Sequence, residues 1–231
     1  MPARAQTSKP ERYDELLCAA AECFQKQGFA ATSIDTVARH VGATKGRVYH
    51  YFPSKMDLFN AVRDRAMELV FDAIRPALEA DLSVIERLTA MSLAHTRVMM
   101  RHHSYMQVLL DGLQMQRFGA TTEFQRQAMQ RHLQERDDYE TCFREVLQQG
   151  VCEGVFQVDH LSITLQSFLI ALNGPVFWYR PRPGDNDATH DEIAGKVVRY
   201  AMAGLGVGDL PVPSTTSERP SERPSERHGH E

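Results

Sequence analysis

The sequence has few cysteines and no evident long apolar run, and these absences exclude several classes of protein. Its 231 residues include four cysteines, none of them in a C-x-x-C pair. This spacing argues against a zinc site or a disulfide framework and predicts reduced, unpaired thiols, while a redox-sensing thiol is the unsupported alternative. No run of about 18 apolar residues is evident, and the N-terminus lacks the apolar stretch of a secretory signal. We expect a cytoplasmic chain with no membrane role.

Patterns typical of catalysis and of metal binding are also missing. The ten histidines include no H-x-x-x-H pair with a third ligand nearby on the same helix. No Ser/His/Asp, Cys/His or paired-carboxylate arrangement emerges, and there is no glycine-rich phosphate loop. We therefore predict a protein that is not an enzyme and that needs no metal and no cofactor.

The charge of the chain is more informative in its distribution than in its sum. The net charge is -4, which does not by itself indicate nucleic acid. Residues 1–60 hold eight lysines and arginines against six acids, so the N-terminal part is slightly basic and the remainder is acidic. This asymmetry has the sign expected of an N-terminal DNA-binding domain.

Helical periodicity runs through the chain, and no segment shows sustained strand alternation, so the predicted fold is all-α. The first predicted helix ends at Gly28. The second begins after its cap Ser33 and the third after its cap Thr44, with Gly42 in the turn between them. Pro53 ends the third helix. Three short helices with a tight glycine turn are typical of a helix-turn-helix, placed here at about residues 34–53.

The remaining helices predict a larger second domain. A domain of residues 10–67 would bind DNA, residues 68–207 would form a ligand-binding and dimerisation domain, and the Ser/Glu/Arg/Pro repeat in 208–231 predicts a disordered tail. We expect Pro175 to kink or interrupt its helix. Asp159 and a Thr189/Glu192 box are expected to cap the last two helices. The predicted helical ranges are 54–76, 83–102, 104–115, 122–150, 161–179 and 189–205.

The stretch VGATKGRVYHYFPSK carries the DNA-binding prediction. On the third helix, Lys45 and Tyr49 lie four residues apart and so share a polar face opposite Val48 and Phe52, whose i, i+4 spacing predicts the buried side. Lysine, tyrosine and histidine suit contacts to phosphate, sugar and base edges. A cation at the start of the fourth helix is disfavoured by the helix dipole, so Lys55 is expected to mark a phosphate site there. A plain solvated surface is the alternative for each residue alone.

At these residues the sequence resembles the TetR family of bacterial transcriptional regulators. The combination of GFAATSI, VGATKG, VYHYF and PSKMDL carries the resemblance, which spans roughly residues 10–67. It implies a three-helix DNA-binding head, an all-α ligand-binding domain, homodimerisation through the last two long helices and binding to a palindromic operator. Arg47 occupies a variable position and is a candidate for specificity. With Arg47 and Lys55 included, the predicted DNA contacts are Ser33, Thr44, Lys45, Gly46, Arg47, Tyr49, His50, Tyr51 and Lys55.

The second domain contains many methionines and phenylalanines, which could enclose an apolar effector or could simply be core. The predicted pocket residues are Met99, Met106, Leu110, Met115, Phe118, Phe143, Leu147 and Phe168. Apolar stripes on the last two long helices predict a dimer seam, with intrachain core as the alternative. The predicted seam residues are Leu161, Leu165, Leu169, Leu172, Ile193, Val197 and Ala201.

Residues 150–205 are similar to the C-terminal halves of TetR-type regulators of lipid and steroid catabolism that sense acyl-CoA thioesters. Two departures, at 173–175 and 182–187, leave the effector class open. We expect a homodimeric, ligand-responsive regulator that binds double-stranded DNA and acts as a repressor released by a hydrophobic small molecule, with an acyl-CoA as one candidate. The alternatives are a drug-like or other apolar metabolite, an activator, and a helical enzyme or interaction module that does not bind DNA.

Overall fold

The computed structural model describes residues 9–115 and 123–207, and all regular structure within them is helical. This confirms the all-α prediction. The proposed tail, 208–231, lies outside the described residues. The described helices are α1 (Lys9–Ala31), α2 (Ile34–His40), α3 (Lys45–Tyr51), α4 (Lys55–Glu79), α5 (Val84–Arg101), α6 (His103–Met115), α7 (Glu123–Cys152), α8 (Leu161–Asn173), α9 (Pro175–Trp178) and α10 (Asp187–Ala203).

Helices α1 to α3 and the start of α4 form the N-terminal bundle. The apolar faces predicted for the first three helices point inward, and Val48 and Phe52 are buried as the i, i+4 pattern indicates. The ring of Phe24 on α1 meets the ring of Phe59 on α4 edge-on, with centroids 5.2 Å apart. Burial of these side chains fixes α3 with its polar side outward.

Helix α4 belongs to both halves of the molecule. It contacts α1 in the N-terminal bundle and α5, α6 and α7 in the C-terminal bundle. Helix α1 also contacts α6, where the side chain of Gln25 lies 2.8 Å from Nδ1 of His103. One continuous apolar core joins the two bundles. A displacement of α6 or α7 would therefore change contacts that α4 makes directly.

The predicted helix ends hold in part. Helix α1 leaves regular geometry at Gly28, as predicted, although a further turn continues to Ala31. The Ser83/Glu86 capping box that starts α5 is present. Helix α4 was expected to end at Pro76 but continues to Glu79, since a proline near the end of a helix removes few backbone hydrogen bonds.

The last helices start and stop under different caps from those predicted. His160, rather than Asp159, caps α8. Asn186 caps α10 by accepting from the backbone N–H of Thr189, so the Thr189/Glu192 box was placed three residues late. Asparagine is a stronger N-cap than threonine, which accounts for the earlier start. Pro175 interrupts its helix as predicted, dividing the segment into α8 and α9.

The segment Leu161–Trp178, which contains α8 and α9, is apolar and long enough to be a candidate membrane span by length and composition. The expectation that no such run exists was wrong. One third of the segment, 33%, is buried within the chain, and core helices of soluble proteins pass the same test. The exposed remainder is an apolar surface that needs an explanation.

Candidate DNA-binding surface and effector cavity

The turn between α2 and α3 positions the proposed recognition helix. Gly42 has φ +66°, a left-handed conformation that favours glycine. Ala43 N–H then donates to the carbonyl of Ala38 over 2.8 Å, which satisfies a free carbonyl at the end of α2. Thr44 caps α3 by accepting from the N–H of Arg47. Each of these contacts lies within a few residues, so the sequence alone could predict them.

Helix α3 turns one face to the core and the rest to solvent. Val48 is fully buried on the inner side. The side chain of Tyr49 stands outward with 44% of its surface exposed. Ser33, at the start of α2, is also exposed and caps that helix by accepting from the N–H of Thr36. The exposed residues around α3 are Thr44, Lys45, Gly46, Arg47, Tyr49 and His50, all of them predicted DNA contacts.

The ammonium group of Lys45 is held in place by α2. Its Nζ donates to Asp35 Oδ2 over 2.9 Å and lies 5.9 Å from the centre of the Tyr49 ring. The hydrogen bond to Asp35 raises the pKa of Lys45 above its ordinary value. Both partners are half exposed, so the pair is weak and a DNA phosphate or base can replace the carboxylate.

Two predicted contacts have other partners in this structure. Tyr51 is half buried, and its ring packs edge-on against Tyr13 with centroids 5.9 Å apart. Lys55 Nζ donates to the carbonyls of Phe29 (2.7 Å) and Ala30 (3.2 Å) and lies over the Phe29 ring. Without DNA, the Lys55 side chain thus binds carbonyls at the end of α1, and its contact to a phosphate stays a prediction.

A cavity of about 300 Å³ lies among α4 to α9 in the C-terminal bundle. Met99, Met106 and Leu110, three of the predicted pocket residues, line it. Phe143, Leu147 and Phe168, which were also predicted, are buried in the core and do not line this cavity. The side chain of Met115 and all of Phe118 lie outside the described residues. The full lining is Arg63, Met67, Val70, His95, Met99, Met106, Leu109, Leu110, His132, Arg136, Tyr139, Glu140, Gln166, Leu169, Ile170, Asn173 and Phe177.

The polar residues of the cavity were missed by sequence reasoning because they come from distant segments. His95 Nδ1 accepts from the hydroxyl of Tyr139 over 2.6 Å, and Nε2 donates to Asn173 Oδ1 over 3.0 Å if it carries the proton. Burial lowers the pKa of His95 to about 4. The only sequence signal was a histidine on the buried stripe of α5, between Met91 and Met99.

The buried His95 should make the protein sensitive to acid. Between the ordinary pKa of 6.5 and the folded value of about 4, the unfolded chain binds a proton that the folded chain refuses, so stability is lost as the pH falls through this window. The loss by pH 4.5 is about 2–3 kcal/mol. Urea unfolding gives the free energy of unfolding at pH 7 and at pH 4.5. The difference between these two values should be smaller in His95→Gln than in the wild type by this amount. An equal pH effect in both proteins would contradict the assignment.

A charged cluster joins α4 to α7 beside the cavity. Arg131 contacts Asp64 at 3.3 Å and Glu135 at 3.7 Å, and Nδ1 of His132 lies 3.5 Å from Asp64 and 3.3 Å from Glu135. Asp64, His132 and Glu135 have the groups to hold a metal ion, with ligand atoms within 4.8 Å of one another. The guanidinium of Arg131 pairs with both carboxylates, so these groups form an ion-pair network.

The predicted dimer seam is largely intrachain core. Leu165, Leu169, Leu172 and Ala201 are buried within the single chain, and Leu161, Ile193 and Val197 are half buried. Helix α8 is apolar on nearly every side, so its periodicity could not indicate which side faces the core. The large apolar side chains that α8, α9 and α10 leave exposed are Ile163, Ile170, Phe177, Trp178 and Tyr200.

Comparison with known proteins gives consistent results. Residues 16–62 match "Bacterial regulatory proteins, tetR family", and residues 81–205 match "Tetracyclin repressor-like, C-terminal domain". The chain is 28% identical over 197 residues to the HTH-type transcriptional repressor KstR2 of Mycobacterium tuberculosis, covering 84% of this chain and 92% of the relative.

Solved structures share the fold. The regulator PfmR of Thermus thermophilus superposes with a TM-score of 0.69 at 26% identity, covering 82% of this chain and 98% of its own. AibR, in a complex with isovaleryl coenzyme A and operator DNA, superposes with a TM-score of 0.67 at 22% identity, covering 82% of this chain and 97% of its own.

Proposed function

Because this chain belongs to the TetR family of bacterial regulatory proteins, we propose that it is a homodimeric repressor, released from a palindromic operator when a small apolar molecule fills the cavity. It is a ligand-responsive, DNA-binding transcriptional regulator, as its relatives are. The operator contacts, the dimer surface, the ligand and the repressing role are proposals. A regulator that acts on DNA would work in the cytoplasm.

One observation carries the proposal: α4 takes part in both sites. Its first turns pack against α1 of the N-terminal bundle, where the ring of Phe59 meets the rings of Phe24 and Phe29, and α1 in turn contacts α2 of the helix-turn-helix. Its middle supplies Arg63, Met67 and Val70 to the cavity wall. A ligand that binds one position of α4 better than another would shift the two recognition helices of a dimer. Such a shift requires a difference in affinity between the two states.

The proposed dimer surface is the exposed apolar side of α8, α9 and α10, defined by Ile163, Ile170, Phe177, Trp178 and Tyr200. A second copy of the chain would remove these side chains from water, which is favourable in proportion to the apolar area covered. A two-fold pairing would also present the two α3 helices to successive major-groove faces, as a palindromic operator requires.

An acyl-CoA is the first candidate effector. AibR, which shares this fold, binds isovaleryl coenzyme A, and the relative KstR2 is a repressor. The cavity of about 300 Å³ is at the small end of ligand pockets, which span about 300–1,000 Å³. It could hold an acyl group, with the nucleotide of coenzyme A outside. A drug-like molecule or another apolar metabolite, and an activating role, are the alternatives.

The experiment is a binding assay with the full-length protein and DNA from upstream of its own gene and its neighbours. We expect tight binding. The logarithm of the association constant should fall linearly with the logarithm of salt concentration, because phosphate contacts release counterions. When the members of an acyl-CoA panel are added one at a time, one of them should release the DNA. Binding that is flat with salt would argue against the DNA surface, and binding that no thioester disturbs would discard the acyl-CoA candidate.

A further inference from the structure

Arg63 is an uncommon residue for the wall of an apolar cavity. It projects from α4 and only 5% of its surface is exposed. Its Nε and Nη2 atoms are buried and make no hydrogen bond to any of the described residues. Burial lowers its pKa to about 10, so the guanidinium is still charged at neutral pH. A buried charged group without hydrogen-bond partners is costly, and the cost is removed when a partner binds.

Helix α6 leaves space for this guanidinium at Gly112. A Cβ atom on that residue would lie 2.3 Å from Arg63 Nε and 2.7 Å from Cζ. Any other side chain at position 112 would push the guanidinium away. The absence of a side chain at Gly112 therefore lets Arg63 pack directly against α6, at the wall of the cavity.

The other charged groups of the cavity already have partners. Glu140 accepts from Arg136 over 2.8 Å and from Gln166 over 2.7 Å. His95 is bonded at both ring nitrogens. His132 turns Nδ1 toward carboxylates and leaves Nε2 unpartnered among the described residues. The strong donors that await a partner are thus those of Arg63.

The surroundings select the kind of anion. The carboxylates of Asp64 and Glu135 lie near Arg63 and favour its charged form, and Glu140 lines the same cavity. A doubly charged phosphate would be repelled by these acids, whereas one carboxylate matches one planar guanidinium. Nine lining residues are apolar, among them three methionines and three leucines, and this part of the wall suits a compact apolar body.

We propose that the effector carries a carboxylate on a compact apolar body, and that Arg63 binds this carboxylate inside the cavity. The inference rests on the proposal that the cavity is the effector site. It names a ligand class that an apolar cavity alone does not indicate. The carboxylate could belong to a free acid or to an acyl-CoA whose acyl group ends in a second acid, and the test separates these two sources.

The test measures binding to the full-length protein without DNA, by calorimetry, using pairs that differ only in the acid. The free-acid pairs are octanoate with octanamide and cyclohexanepropanoate with its amide. The thioester pair is glutaryl-CoA with valeryl-CoA. In at least one pair we expect the acid to bind at least about tenfold more tightly than its neutral partner, since a charge-assisted hydrogen bond is about twice as strong as a neutral one.

Variants assign the preference to Arg63. Arg63→Met should remove the preference for the acid. Gly112→Ala keeps the charge but displaces the guanidinium, and should weaken the preference. This second variant still gives a result if Arg63→Met folds poorly. Arg65→Met is the matched control: it removes an arginine of the same helix that pairs with Glu68 and lies outside the cavity wall. It should change the preference by less than about threefold because exposed charges are screened.

The inference is overturned if every neutral partner binds as tightly as its acid, if no acid binds at millimolar concentration, or if the preference survives in Arg63→Met. A separate assay of DNA release keeps the two proposals distinguishable. An acid that binds through Arg63 without releasing DNA would support this inference and contradict the proposed function. DNA release by neutral ligands alone would support the proposed function and contradict this inference.

Discussion

Replacing Lys45 and Tyr49 together by alanine should lower operator affinity by at least about 1000-fold, because each good base contact contributes about 1–3 kcal/mol and a dimer loses every contact twice. The two side chains stand on the exposed side of α3, and neither supports the core of the head. Affinity is measured by fluorescence anisotropy at fixed salt, and circular dichroism should show unchanged helicity.

The control for this prediction is Lys26→Ala. Lys26 lies in the same domain, is largely exposed and pairs with Glu22 on its own helix. The Lys26→Ala substitution removes one positive charge, as Lys45→Ala does, but leaves α3 unchanged. Operator affinity should therefore change by no more than about threefold, the scale of a distant screened charge. Wild-type affinity in the double variant would refute the assignment of α3 as the recognition helix.

Placing aspartate at Ile163 and Tyr200 should convert the dimer to a monomer. These side chains are 63% and 78% exposed in the single chain, on helices that contact each other, so the chain itself should still fold. Buried in a dimer, four unpaired carboxylates would each cost several kcal/mol. Light scattering should give a mass near 26.2 kDa instead of twice that value. Operator affinity should fall by at least about 100-fold, because only one head can then bind at a time.

Two further variants identify the surface. Leu133→Asp changes another exposed apolar side chain, on α7, which supplies no residue to the proposed surface, and should leave the dimer intact. Leu165→Asp, at a residue first predicted to lie in the seam, should unfold the chain because Leu165 is fully buried. A dimer that survives the double aspartate variant would place the interface elsewhere.

Much of the N-terminal head could be predicted from the sequence. Its caps at Ser33 and Thr44 and its turn at Gly42 depend on contacts within three or four residues, which a sequence displays directly. Val48 and Phe52 were correctly expected inside because a short helix with one apolar stripe has one way to face the core. The outward side of α3 then followed.

Lys55 has partners that this reasoning did not predict. Its cation was predicted to wait for a phosphate, because the start of a helix disfavours a cation. In the folded chain its ammonium group meets the carbonyls of Phe29 and Ala30. A long, flexible side chain can reach partners that are distant in sequence, so its role is decided by the packing of α1 against α4.

The sequence by itself determined the all-α class, the helix-turn-helix and the family, since each rests on local patterns that survive without knowledge of long-range contacts. Only the tertiary structure decided which side of α8 is buried and that His95 bonds both Tyr139 and Asn173. It also decided that Arg63 lies at a cavity, packed against Gly112, with Nε and Nη2 unpartnered among the described residues. A helix with apolar side chains on most of its sides takes its orientation from its neighbours, and a cavity exists only where several helices fail to fill the space between them.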